Sequence, residues 1–86
     1  MPVRRTKRFN RAFFKLPAHI RKKVKRTLAL LDQDFRHPSL RARRLSGYRD
    51  IFYARVDRDH RITYERREDL LILRNVGRRD ETLKNP

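Results

Sequence analysis

Ile51-Phe52-Tyr53-Ala54-Arg55-Val56-Asp57-Arg58-Asp59-His60-Arg61-Ile62-Thr63-Tyr64-Glu65-Arg66 decides the fold, because its side chains alternate in character about a short polar break. In an extended chain Phe52, Ala54 and Val56 point to one side and Tyr53 and Arg55 to the other. Beyond the Asp57-Arg58-Asp59 turn, Ile62 and Tyr64 oppose Arg61, Thr63 and Glu65. A period of two on either side of a short turn predicts adjacent antiparallel strands, Ile51 to Val56 and Arg61 to Arg66, sharing one apolar face. Tyr53, Arg55, Arg61 and Thr63 then lie on the opposite face.

Reading outward, Leu70 to Val76 follows the Arg67-Glu68-Asp69 turn as another strand, and Ala42 to Leu45 precedes Gly47 as a further one. Towards the N-terminus the period changes. Phe9, Ala12, Phe13 and Leu16 recur at helical spacing and predict a short first helix. Pro17 suits the first turn of a second helix, whose apolar stripe is Ile20, Val24, Leu28, Leu31 and Phe35, with Arg21, Lys22, Lys23, Lys25 and Arg26 on its other face. His37-Pro38 marks its end, since proline disfavours helix in the residue before it. Val3 to Thr6 reads as a first strand. The expected fold is one α+β domain over residues 1–86. Two N-terminal helices pack on the apolar face of a small antiparallel sheet, and no helix covers the face carrying Arg55 and Arg61.

A domain of this length buries roughly 60% of its unfolded surface, so its core is thin. Charged residues make up 41% of the chain, yet the 37% that are hydrophobic gather into periodic segments, which argues for a fold rather than disorder. Cysteine is absent, which excludes disulfides and thiolate metal sites. No apolar run approaches the roughly 20 residues needed to span a bilayer, and Met1-Pro2-Val3-Arg4-Arg5 leads into no apolar segment. The cytoplasm is the expected compartment. The formal charge of +15 points to a polyanionic partner, nucleic acid first. Of the 25 basic residues 19 are Arg, whose guanidinium fork binds phosphate through two hydrogen bonds.

Four short motifs stand in order along the chain. They are Leu40-Arg41-Ala42-Arg43-Arg44-Leu45-Ser46-Gly47, Phe52-Tyr53-Ala54-Arg55-Val56, His60-Arg61-Ile62-Thr63-Tyr64 and Asn75-Val76-Gly77-Arg78-Arg79-Asp80-Glu81. With the order of helices and strands, they resemble the RelE/ParE toxin superfamily over essentially the whole chain. The resemblance implies a RelE-like fold and a toxin–antitoxin function. It places Arg61 at the family's phosphate-binding arginine, Arg55 at a basic position on the preceding strand, and Arg79 at the His-or-Arg position after the last strand's glycine. These three are the expected catalytic residues, with Arg43, Arg44, Arg78 and Tyr53 as expected RNA contacts. Many RelE-type toxins carry a tyrosine a few residues beyond the Arg79 position, where this chain has Leu83.

Each assignment has a plainer reading. An arginine on so basic a surface is often only solvated, a tyrosine on a strand often only packs, and the pairs Lys22-Lys23 and Arg43-Arg44 are ordinary surface charge. What sets Arg55 and Arg61 apart is that strand alternation puts both on one face. Structural roles are expected for His60, on the Phe52 side, and for His37, at a helix end. Asp80 and Glu81 could act as bases, although carboxylates among arginines favour ion pairs that blunt their basicity. No HExxH motif is present, and with only two glycines there is no phosphate loop, so zinc proteolysis and nucleotide binding are unsupported. No metal and no cofactor are expected. The expected activity is metal-independent cleavage of mRNA, on the ribosome, by a toxin that an acidic antitoxin silences. The alternatives are a DNA gyrase inhibitor of the ParE type and a non-catalytic RNA-binding or ribosome-associated domain.

Overall fold

The computed structural model describes residues 1–86. The elements in chain order are strand β1 (Val3–Arg5), helix α1 (Lys7–Phe14), helix α2 (Ala18–Asp34), a 3-10 turn at Pro38–Leu40, strands β2 (Arg43–Arg44), β3 (Ile51–Arg55), β4 (His60–Arg67) and β5 (Leu70–Arg78), and helix α3 (Arg79–Lys84). Both expected N-terminal helices are present. Thr6, expected to close the first strand, is instead the cap of α1: its hydroxyl accepts the Phe9 amide at 3.0 Å and donates to the Leu73 carbonyl at 2.8 Å. One side chain thus starts the helix and fastens it to the sheet. Pro17 precedes α2 as its cap residue, and Phe35 closes it.

The sheet has five strands in the order β1-β5-β4-β3-β2. Its β2 to β5 portion is antiparallel, as the short polar turns require, and β1 joins the free edge of β5 in parallel, with Val3 opposite Leu71. Ile51 to Arg55 pair with Glu65 to Arg61, which is the register that alternation demands. In β5 the period breaks once. Thr63 stands opposite Asn75 and Tyr64 opposite Leu73, so Arg74 is an extra residue, a β-bulge. Leu71 and Leu73 face the core before the bulge and Val76 faces it afterwards, a step of three where an unbroken strand allows two. Because Val76 is turned inward, Gly77 is turned towards the opposite face.

The core joins α1 and α2 to one face of this sheet through Phe9, Phe13, Val24, Leu31, Ile62 and Leu73, with Leu40 of the 3-10 turn sealing one end. Tyr64 lies in the same cluster, and burial pushes its phenol up to about 12. The other face differs from expectation. Helix α3 follows β5 without a loop and packs on β4 and β5. Thr82 is buried, and its Oγ1 lies 2.9 Å from where a Cβ on Gly77 would stand, so only glycine permits that approach. Thr63, expected to be open, is fully buried there. Arg55, Arg61 and Tyr53 remain partly exposed. No helix is long and apolar enough to cross a membrane.

Leu31 has no exposed surface and sits where α2 meets the sheet. Truncation there removes burial and leaves a cavity that a thin core cannot refill. Leu31→Ala is expected to lower the free energy of unfolding by about 2–5 kcal/mol in urea titrations; a loss below about 1 kcal/mol would contradict this placement of the core.

Candidate functional site: an arginine cluster at the β3–β4 turn

Arg55 and Arg61 are cross-strand partners at the β3–β4 turn, on one face and directly opposite each other. Like charges so placed repel, and something must hold them. For Arg61 the turn itself does so. Its Nη1 donates to the carbonyls of Asp57 at 2.6 Å and His60 at 2.9 Å, with a longer contact to Arg58 at 3.4 Å. Neither Nε nor Nη2 meets an acceptor in the chain, so one edge of the guanidinium is anchored and the other is free. Burial, then the guanidiniums of Arg79 and Arg55, lower the Arg61 pKa, with Tyr53 and Asp57 acting weakly the other way. Arginine stays charged even so. A site that crowds three cations gains from an incoming anion.

Arg79 begins α3, and its amide donates to the Asp59 carbonyl at 2.7 Å, which fixes the helix start against the same turn. Its side chain is 55% exposed, with Asp80 the nearest carboxylate at 3.4 Å. A polar cleft of about 430 Å³ opens here, lined by Arg58, Asp59, Arg78, Arg79, Asp80 and Glu81. Tyr53 shares the Arg55 face, and Arg43, its partner on β2, points the same way. Arg44 pairs with Phe52 and therefore belongs to the helix-bearing face, away from this group. Arg78 is exposed at the cleft rim. The structure thus gathers Arg55, Arg61 and Arg79, extends the row through Tyr53 to Arg43, and leaves Arg44 outside it. Leu83 lies partly buried on α3.

The turn holds residues that sequence reasoning passed over. Asp57 accepts from the Asp59 amide at 2.9 Å, from His60 Nδ1 at 2.9 Å and from Lys23 Nζ at 3.1 Å. Burial opposes its charge, yet the bonds from His60, the Asp59 amide and Lys23 outweigh it and hold the carboxyl well below the usual carboxylate range. The available signal was an Asp at the head of a tight turn, which habitually bonds its own backbone two residues on. His60 is buried on the helix-bearing side and engaged by Asp57, and His37 caps the 3-10 turn by accepting the Ser39 amide. Both histidines therefore hold local structure, as expected.

No protein-family model and no curated protein sequence matches the chain. Solved structures do. The chain superposes with a TM-score of 0.76 on the RelB-RelE antitoxin-toxin complex of Methanococcus jannaschii, at 24% identity over 91% of this chain and 92% of that one. The toxin-antitoxin complex RelBE2 of Mycobacterium tuberculosis gives 0.75 at 23% identity, over 91% and 96%. YafQ of E. coli gives 0.75 at 18% identity, over 93% and 94%. The chain has the RelE-like fold.

The folded-state pKa of Asp57 lies below its unfolded value, so its contribution to stability is full above about pH 4 and declines as acid carries the pH down towards the folded value. Asp57→Ala strands a buried His60 nitrogen and frees the turn, which should cost about 1–3 kcal/mol at neutral pH. In urea unfolding the gap between wild type and variant is expected to narrow as pH falls below about 4. A pH-independent gap would show that the carboxylate charge is not what holds the turn.

Proposed function

We propose that this chain is a RelE-type toxin that cleaves mRNA, with Arg61, Arg79 and Arg55 as its catalytic group. The observation that carries the reading is the anchored Arg61, one edge bound to the turn carbonyls and the other unpartnered, beside Arg55 and Arg79. RNA can be cut by its own 2′-hydroxyl. The hydroxyl oxygen attacks the adjacent phosphorus, the bond from phosphorus to the 5′-oxygen breaks, and the products are a 2′,3′-cyclic phosphate and a 5′-hydroxyl. Charge builds on the non-bridging oxygens as this proceeds, and a preorganised cation aimed there is worth about 3 kcal/mol, or two orders of magnitude in rate. Arg61 and Arg79 take the scissile phosphate; Arg55 positions it or steadies the leaving oxygen.

Arginine is a poor base, with a pKa above about 12, so the cluster stabilises the transition state better than it removes the 2′-proton. A ribosome that already fixes mRNA in line supplies orientation, which can account for about 7–11 kcal/mol of a barrier. The proposal therefore puts the chain in the cytoplasm, acting on translating ribosomes. It also gives the chain an acidic antitoxin partner, drawn by the +15 charge and covering the cluster. The RelE and RelBE2 structures it resembles are themselves toxin–antitoxin complexes.

In single-turnover cleavage of ribosome-bound mRNA, Arg61→Ala and Arg79→Ala are each expected to slow the reaction by roughly 10². Circular dichroism and antitoxin binding should be largely retained. Wild-type rates in both variants would remove the cluster from catalysis. Growth arrest that survives the double variant would instead favour a non-catalytic RNA-binding domain.

A further inference from the structure

At the other end of β4, on the helix-bearing face, Arg66 lies between two aromatic rings. Its guanidinium carbon is 4.9 Å from the centroid of Phe35 and 4.8 Å from that of Phe52, and Arg36 sits over Phe35 at 5.1 Å. A cation set over ring faces is held there by the rings' negative faces without using its N–H donors. Neither Arg66, Arg36 nor Arg41 has a carboxylate within ion-pair distance. Together with His37 and Tyr64, whose hydroxyl can also donate, they form the polar wall of a cavity of about 300 Å³ whose apolar wall includes Phe35 and Phe52. Because His37 Nδ1 accepts the Ser39 amide, its ring proton belongs on Nε2, which makes that nitrogen a donor. Every polar side chain named here is thus a donor. Arg41 holds its place at a left-handed φ of 45°, where glycine or asparagine is the easier residue.

The edge strand β2 links this cavity to the cluster on the other face. Arg43 pairs with Tyr53 and so shares a face with Arg55 and Arg61, whereas Arg44 pairs with Phe52 and shares a face with Arg66. One arginine therefore stands on each side of the sheet edge. We propose that the Arg66 cavity is a second phosphate site for single-stranded RNA. The strand reaches it from the Arg61 cluster by crossing the sheet edge at Arg43 and Arg44. The inference rests on the ribonuclease reading and extends it to the path of the substrate. A file of separate cations running over an edge suits the repeating charge of a nucleic-acid backbone. The rings of Phe35 and Phe52 are occupied by guanidiniums, so no base stacks on them and the site reads phosphate without reading sequence.

The test is equilibrium binding of fluorescein-labelled 2′-O-methyl oligouridylate, which lacks the attacking hydroxyl, across a salt series. Arg66→Gln and Arg41→Gly are each expected to weaken binding roughly fivefold or more, with the slope of log K against log salt shallower by about 0.7 for each lost phosphate. Arg41→Gly is expected to fold at least as well as wild type, because its φ suits glycine, so it stays decisive if Arg66→Gln loosens the packing. Arg26→Gln, an equal charge loss on the exposed side of α2, should stay within about twofold. Oligoadenylate should give the same pattern. Equal losses from Arg26→Gln would reduce the effect to bulk charge and overturn the site. So would wild-type RNA affinity in the other two variants, including the case where they lose only polyglutamate binding. Wild type that fails to bind the oligonucleotide overturns the second site and leaves the ribonuclease reading to its own assay on ribosome-bound mRNA; wild type that cleaves ribosome-bound mRNA while the variants match it in oligonucleotide binding overturns the second site alone.

Discussion

The Asp57 carboxylate is the joint on which the molecule turns. It gathers an amide of its own turn, the buried His60 ring and Lys23 of α2, so one side chain closes the β3–β4 hairpin and ties it to the helical layer. The carbonyls so fixed then grip Arg61, and the neighbouring Asp59 carbonyl takes the Arg79 amide at the start of α3. One turn thereby holds the guanidinium of Arg61 and the backbone from which Arg79 projects. A hairpin with a loose turn would leave Arg61 on a flexible stem and the start of α3 unfixed, so the cations would lose their fixed placement.

Much of this was legible before any coordinate. Alternation in Phe52, Ala54 and Ile62, Tyr64 set the register and the inward face, and the stripe from Ile20 to Leu31 set α2, because both signals recur several times within one element. What stayed hidden rests on single events. The Arg74 bulge is one extra residue, and nothing in Leu70 to Arg78 marks it until Val76 is found facing the core. Helix α3 has only Thr82 and Leu83 turned inward, too short a pattern to show a period. Parallel pairing of β1 with β5 joins residues nearly 70 apart, as Thr6 to Leu73 shows, and local pattern carries no trace of it.

The placement of the candidate residues was legible to a similar degree. Strand alternation alone put Arg55 and Arg61 on one face, and the motif order added Arg79. Alternation also separates Arg43 from Arg44, which stand on opposite faces although they are adjacent in sequence. The role of Asp57 was missed because its partners, Lys23 and His60, come from a helix and a strand that no local reading brings together. The bulge and Gly77 matter here too: they turn the end of β5 so that α3 lies over Thr63 and Arg79 arrives beside Arg61. A fold-level irregularity thus completes the cationic cluster.

The central claim is that this cluster cuts mRNA, and cellular RNA tests it most directly. After brief induction of the wild-type chain, RNA ends bearing a 5′-hydroxyl should accumulate inside translated regions and stay at background in untranslated ones, and they should vanish when Arg61 and Arg79 are both alanine. An absence of such ends in cells that wild type has arrested, or the same ends from the double variant, would contradict it.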